Sequence, residues 1–332
     1  MSNLLSIDTT MPVEAADSPL GEHLTKRGHI NVSADPSAPS HIYYELYGDG
    51  PDKVVFINGM GADRQMWEPD VGEFLQHARY QCLVFDHRGT GFSDTAGGPL
   101  SYTSSSMAAD AKSLIDALGW HKVNIVGASM GGMIALELAC THPDLILTLT
   151  LVVTHAGMTI PPLRGIMDSV SANFVSDPFV RFKRICGSLY PQEFLDSAPP
   201  AEAEARGCRT MLDYCADVAV RRSKYTKPMS FATFVGQVGV VFRHYVAPAR
   251  LEILGKLLPD HQILIVTGDQ DHLVRTSNSA YLADTIGRDK VTFEVYEGTG
   301  HGLHSQQAHR LVRSIDAMIT RVCGPPATEQ SQ

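Results

Sequence analysis

The sequence predicts an α/β fold: a mostly parallel central sheet with helices on both faces and an inserted helical cap. Three observations predict it. Short runs rich in β-branched and other apolar residues recur from about residue 28 onward, at 42–46, 54–57, 82–85, 123–126, 147–153, 263–267 and 291–296. Most are apolar at nearly every position, as strands buried on both faces are. Helix-like stretches at 107–118, 132–140 and 307–322 lie between or after them, and such alternation is how a parallel sheet is wired. Finally, Gly127-Ala128-Ser129-Met130-Gly131 joins one of these strands to one of these helices, so a serine falls on a sharp strand-to-helix turn.

At the two ends, residues 1–24 and 324–332 are rich in Ser, Thr, Pro, Glu and Gln, have little apolar surface to bury, and are expected to be mobile tails. The core is expected at 25–157 and 247–323, interrupted by a cap at 158–246. That interval lacks a strand of the core type and carries helix-like patches around 163–174, 179–188, 201–214 and 229–243. Seven of the twelve phenylalanines fall there, at 174, 179, 182, 194, 231, 234 and 242. They suggest an apolar roof over the sheet edge, although helices need aromatic packing of their own.

Composition narrows the function. A chain of 332 residues with 44% hydrophobic content can bury a large core. A net charge of −9 disfavours nucleic acid and anionic membrane as main partners, leaving a small molecule. The six cysteines show no CxxC or CxxH spacing and read as free buried thiols of a reducing compartment. The first 24 residues hold Asp8, Glu14 and Asp17 without a continuous apolar run, unlike a secretory signal. A cytoplasmic protein with no membrane span is expected, its oligomeric state left open.

Gly-x-Ser-x-Gly alone is weak evidence, arising by chance about 0.1 times in a chain of this length. Its placement strengthens it. The serine of such an elbow sits on a strained turn whose neighbours must be small, and Gly127, Gly131 and Gly132 comply. A serine hydroxyl needs a base and a carboxylate that orients it. After the strand at 263–267 comes Gly268-Asp269-Gln270-Asp271, and after the strand at 291–296 comes Gly298-Thr299-Gly300-His301-Gly302. Both lie at carboxyl ends of strands, where the groups of an open parallel sheet converge. His304 and His309 compete with His301, but fall where the last helix begins.

With these motifs, and with Asn58-Gly59-Met60-Gly61 and Asp86-His87-Arg88-Gly89-Thr90-Gly91-Phe92-Ser93-Asp94 after earlier strands, the chain resembles the capped α/β-hydrolases of the serine-nucleophile, esterase- and lipase-like branch, from roughly residue 40 to 320. The order Ser, Asp, His matches theirs. The resemblance implies Ser129 as nucleophile, His301 as base and Asp271, the aspartate of Gly-x-x-Asp, as its carboxylate. Asp269 is the rival, with a turn role as its alternative. It also implies an oxyanion hole from the backbone amides of Met60 and Met130. Asn58 stands where histidine is usual, which touches the hydrogen bonding of that loop rather than the donor itself. The Asp86–Asp94 loop is expected to brace the elbow and sheet; no metal, nucleotide or other cofactor is implied. His155 and Trp67 could face the pocket but are more often packed neighbours than catalytic groups, and Met60, Met130 and Met133 near the elbow suggest an adaptable apolar site, with helix core as the alternative for Met133.

The expected activity is hydrolysis of a small to medium apolar carboxylic ester or lactone through an acyl-enzyme on Ser129. A C–C bond hydrolase, an acyltransferase, a cofactor-free haloperoxidase or perhydrolase, and a slow-turnover ligand receptor remain open on the same residues.

Overall fold

The computed structural model describes residues 20–325, apart from 34, 36, 96, 158, 160–170 and 172–174. Eight strands form one sheet: β1 (Leu24–Asn31), β2 (His41–Tyr47), β3 (Asp52–Ile57), β4 (Tyr80–Phe85), β5 (Val123–Ala128), β6 (Ile146–Val152), β7 (Ile263–Gly268) and β8 (Val291–Tyr296). Their spatial order is β1-β2-β4-β3-β5-β6-β7-β8. β1 pairs antiparallel with β2 and β2 with β4, and every later pairing is parallel. The strands that carry the motifs therefore all present their carboxyl ends on one edge.

Seven of these strands coincide with the apolar runs; β1 does not. Its sequence, Leu-Thr-Lys-Arg-Gly-His-Ile-Asn, buries only Gly28 and Ile30. As an edge strand it keeps the Lys26 side chain in solvent and Arg27 partly exposed, and such charges discourage pairing with another chain. This corrects the expected N-terminal tail, which does not extend to residue 24. Leu20 is buried among Val71, Phe74 and Trp67, and Gly21–His23 form a short 3-10 turn leading into β1. The tail residues 1–19 and 326–332 lie outside the described residues. At the other end Gly324 is tied down, its carbonyl accepting from the Arg79 guanidinium at 2.9 Å.

The core helices are α1 (Glu68–Phe74), α2 (Ser104–Ala117), α3 (Met130–Thr141), and, after the insertion, α9 (Pro248–Leu257), α10 (Thr276–Ile286), α11 (Leu303–Gln306) and α12 (Ala308–Cys323). Two apolar layers result. α2, α3, α9 and α10 cover one face through Leu114, Ile134, Leu251 and Leu282, while α1 and α12 cover the other through Phe74, Leu311 and Ile315. α2 starts from a reciprocal cap in which Thr103 and Ser106 each satisfy the other's backbone N–H, a motif worth about 1 kcal/mol.

Between β6 and α9 the described residues form α4 (Pro178–Leu189), α5 (Gln192–Asp196), α6 (Ala201–Glu204), α7 (Met211–Arg222) and α8 (Phe231–Arg243). The patch expected at 201–214 is thus two helices, parted by Arg206-Gly207-Cys208, with Gly207 at φ +93°. The patch at 163–174 lies outside the described residues except for Ser171. Both ends of the insertion meet at one point: Gly157 bridges Tyr245, and the Val246 amide donates to the Ala156 carbonyl at 2.8 Å. The phenylalanines do not make a continuous roof. Phe179, Phe231 and Phe242 are 38%, 76% and 61% exposed, because they occupy the outer faces of amphipathic helices, and Phe174 is not described. The cysteines are free, but Cys323 is exposed rather than buried because it ends the outer face of α12. Among the described residues, no helix is long and apolar enough to cross a membrane.

Candidate active site

Ser129 stands between β5 and α3 with φ 56° and ψ −119°. A non-glycine residue there is strained and persists only where its surroundings over-determine it. They do. The Ser129 amide donates to the Val152 carbonyl at 2.9 Å, and its carbonyl accepts from the Thr154 hydroxyl at 2.7 Å and from the Met133 amide at 3.2 Å. The glycines are needed for approach. A Cβ on Gly131 would lie 2.0 Å from the Ile57 carbonyl oxygen, one on Gly127 2.4 Å from the Gly131 oxygen, and one on Gly132 2.6 Å from Thr154 Cβ. Met130 opens α3 with its amide in the unsatisfied first turn of the helix. Met133 is helix core.

The loops after β7 and β8 meet. His301 Nδ1 lies 2.8 Å from Asp271 Oδ2, and Asp271 Oδ1 accepts from the amides of Leu273 and Val274 at 2.8 Å each. Both side chains are largely buried, at 9% and 0% exposure. Asp269 points elsewhere: its Oδ1 accepts from the Thr299 amide at 3.2 Å, the turn role weighed against it. His309 makes an exposed pair with Glu73 at 2.9 Å. His304 lies against Trp67 and 3.4 Å from Asp70, below the His301 loop. Burial raises the Asp70 carboxyl above its usual range.

The other wall is the turn Gly59–Ala62 after β3. Its Gly59 faces the elbow, since a Cβ there would lie 3.6 Å from Ser129 Cβ. Asn58 holds this loop in place of the usual histidine: its Nδ2 donates to the Phe85 carbonyl at 2.6 Å, and its own carbonyl lies 3.0 Å from His87 Nε2. Burial pushes His87 down to about 4, so the ring is neutral and donates from Nε2. The rest of the 86–94 loop is structural too. Asp86 accepts from the Arg64 and Phe92 amides and pairs with the Arg64 guanidinium at 3.1 Å. Among the described residues, no group accepts from the Met60 amide, whereas those of Gly59, Gly61 and Ala62 are engaged by Met66 Sδ, Gln237 and Gly59.

The structure adds residues that the sequence pattern does not single out. Tyr190, after α4, packs its ring where a Cβ of Gly302 would sit, 2.3 Å away, and donates or accepts with Ser305 at 2.6 Å. The Leu189 carbonyl accepts from the Gly302 amide at 2.8 Å. The insertion thus grips the His301 loop from outside. Gln237 in α8 touches the Gly59–Ala62 turn, and Thr154 secures the elbow. Only Gln237 left a signal, as the lone amide in a largely apolar helix. His155 is buried beyond β6, its Nδ1 accepting from the Gly157 amide at 2.9 Å. Burial, and then the charge of His301, push it down to about 4. Burial and His155 push His244, whose ring centroid is 6.1 Å away, to about 3.

A strained serine at a strand-to-helix turn, on the same sheet edge as a His–Asp pair, invites comparison with known proteins, and the family profile of the alpha/beta hydrolase fold matches residues 52–308. The chain belongs to the α/β-hydrolase family. An Azorhizobium caulinodans protein named as the carbamate hydrolase RutD is 36% identical over 111 residues, 33% of this chain and 40% of that protein. A Mycobacterium tuberculosis protein named as the non-heme bromoperoxidase BpoC is 37% identical over 115 residues, 35% of this chain and 42% of that one. These alignments therefore span about two fifths of the relatives' length. The meta-cleavage product hydrolase CumD of Pseudomonas fluorescens superposes with a TM-score of 0.67 at 17% identity, covering 90% of this chain and 99% of its own. That similarity concerns the fold.

Proposed function

We propose that this α/β-hydrolase performs two-step acyl transfer to water, on a small to medium apolar ester or lactone. One observation carries the reading: Ser129, held at φ 56°, shares the carboxyl edge of the sheet with a buried Asp271–His301 pair at 2.8 Å. Asp271 accepts the Nδ1 proton of His301, which leaves Nε2 free to take a proton. Ser129 Oγ attacks the carbonyl carbon as that proton passes to His301, and the oxygen of the tetrahedral intermediate takes up the negative charge. The Met60 and Met130 amides are suited to hold it, since both are backbone donors beside the elbow. Collapse expels the alcohol, which receives the proton from His301. Water then attacks the acyl-enzyme by the same route and restores Ser129.

The relatives' names include a carbamate hydrolase and a bromoperoxidase, so the bond cleaved is what the test must decide. The test is hydrolysis of p-nitrophenyl esters from acetate to palmitate by wild type and Ser129→Ala. Serine-dependent turnover with a preferred chain length supports the ester reading. A folded wild type that turns over none of them, yet cleaves a carbamate or a vinylogous diketone in a Ser129-dependent way, moves the assignment to that bond.

A further inference from the structure

Gln237 is completely buried although it belongs to α8, a helix of the insertion. Both ends of its amide are used. Oε1 accepts from the Gly61 amide at 2.8 Å, and Nε2 donates to Thr90 Oγ1 at 3.0 Å. A backbone N–H can only donate, which fixes the oxygen toward Gly61. The helix cannot slide to lose this register. Thr233, one turn earlier on the same face, fills the space beside Gly89, where a Cβ would come within 2.5 Å of its hydroxyl, and Gly236 lies under Tyr102, which leaves no room for a Cβ.

Gly61 is the third residue of the turn Gly59–Ala62, closed by the Ala62 amide donating to the Gly59 carbonyl at 3.4 Å. Its φ is +74°, while Met60 is not among the residues of positive φ. That combination belongs to a type II turn, whose central peptide is turned over relative to type I. The central peptide here joins Met60 to Gly61, and its N–H is the group that Gln237 holds. The peptide just before it carries the Met60 amide.

We infer that Gln237 is a positioning residue that latches this turn in its type II form, so that the α8 helix of the insertion fixes which way the Met60–Gly61 peptide, the one next to the Met60 amide, is turned. When α8 sits on the core, the central peptide has its acceptor and the Met60 amide stays available to an oxyanion. When α8 lifts, the acceptor leaves with it and the turn is free to invert. Transition-state stabilisation is thereby tied to the seating of the insertion. The inference rests on the acyl-transfer reading for its kinetic consequence but not for the latch itself.

The test uses the full chain with Gln237→Leu, which removes both hydrogen bonds at similar volume, and Gln237→Glu, which keeps the acceptor. For Gln237→Leu the expected result is a kcat on the best p-nitrophenyl ester lowered about 10- to 100-fold, somewhat less than loss of an oxyanion donor itself, with KM within about threefold. Affinity for an alkylboronic acid, which forms a tetrahedral anion on a serine, should fall in parallel. Amide hydrogen exchange at Gly61, read by NMR, should accelerate at least about tenfold, while exchange in the core strands is unchanged. Gln237→Glu should keep most of the Gly61 protection and of kcat. Gly61 protection unchanged in Gln237→Leu overturns the latch, as does Gln237→Glu losing as much protection as Gln237→Leu. Should Gln237→Leu not fold, Gln237→Asn takes its place: it keeps a buried amide but ends one methylene short of Gly61, so it should speed Gly61 exchange, and no change there overturns the proposal. A wild type without acyl-transfer activity would fail the kinetic arm alone, leaving the exchange measurement to decide the latch.

Discussion

Replacing Asp271 by asparagine removes a charge and keeps the shape, and the effect turns on the different partners of the two carboxylate oxygens. Oδ1 receives two backbone amides, from Leu273 and Val274, and Oδ2 faces His301 Nδ1. An asparagine can serve only one side with its oxygen. Turning its NH2 toward the two amides would leave two buried donors without an acceptor, at about 1–3 kcal/mol each. The oxygen therefore keeps the backbone, and the NH2 faces His301 Nδ1 and donates to it. The imidazole proton moves to Nε2, the atom proposed to accept from Ser129. Triads so altered lose about 10⁴-fold in kcat with their geometry intact. Asp269→Asn should behave differently, because its oxygen can still accept from Thr299. Exchanging a charged for a neutral acceptor is worth about 1 kcal/mol, or a change within about fivefold. Single-turnover release of p-nitrophenol from a short-chain ester, with thermal melts to verify folding, measures both. Asp271→Asn retaining a tenth or more of the wild-type rate would refute the assignment, and so would equal losses in the two variants.

Further predictions concern stability and the elbow. Arg64→Met should cost about 3–5 kcal/mol in urea titration, because Arg64 pairs with buried Glu45 at 2.8 Å and Asp86 at 3.1 Å and its loss strands both carboxylates. Gly131→Ala should lower the melting temperature sharply or prevent folding, since its Cβ would meet the Ile57 carbonyl; an undisturbed melt contradicts the packing described. Gly61→Ala meets nothing but must hold a side chain at φ +74°, so its cost should be about 1–2 kcal/mol with a larger effect on kcat than on folding. The depressed His155 makes stability pH-dependent. The unfolded chain binds this proton near 6.5 and the folded one at about 4, so the contribution is complete above about pH 6.5 and is lost as pH falls toward 4. In urea titrations at pH 7 and pH 4.5, His155→Gln should lose roughly 2 kcal/mol less than wild type, and an identical pH response would contradict the assignment.

The parts legible in the sequence were those with an all-apolar or glycine signature. Val123–Ala128, Ile146–Val152 and Ile263–Gly268 are buried at nearly every position, so their residues advertise them. β1 was not legible because Leu-Thr-Lys-Arg-Gly-His-Ile-Asn holds only two large apolar residues and no regular alternation, so this edge strand looks like a loop. α1 opens with Glu-Pro-Asp, and α10 reads Thr-Ser-Asn-Ser-Ala; both are poor in helix formers and owe their form to packing. At the site, residues fixed by chemistry could be placed from their loops, and the Asp271–His301 contact lies where the strand order puts it. Gln237, Tyr190 and Thr154 act through distance alone. Nothing in their local sequence says that a residue 176 positions away from Gly61 will accept its hydrogen bond.

The bridge between Gly157 and Tyr245 has an evolutionary consequence. The whole insertion leaves and rejoins the sheet through one narrow doorway, so its length and content can be exchanged without disturbing the register of any strand. Such a chain can acquire a new specificity by splicing rather than by gradual repacking, as a tool changes its head while keeping its handle. The freedom is limited by what the insertion touches, the His301 loop through Leu189 and Tyr190 and the Gly59–Ala62 turn through Gln237. On the proposed roles, a replacement segment that lacks an acceptor in reach of Gly61 would keep Ser129 and His301 but not the orientation of the turn facing the elbow, and would arrive as a good fold with slow chemistry.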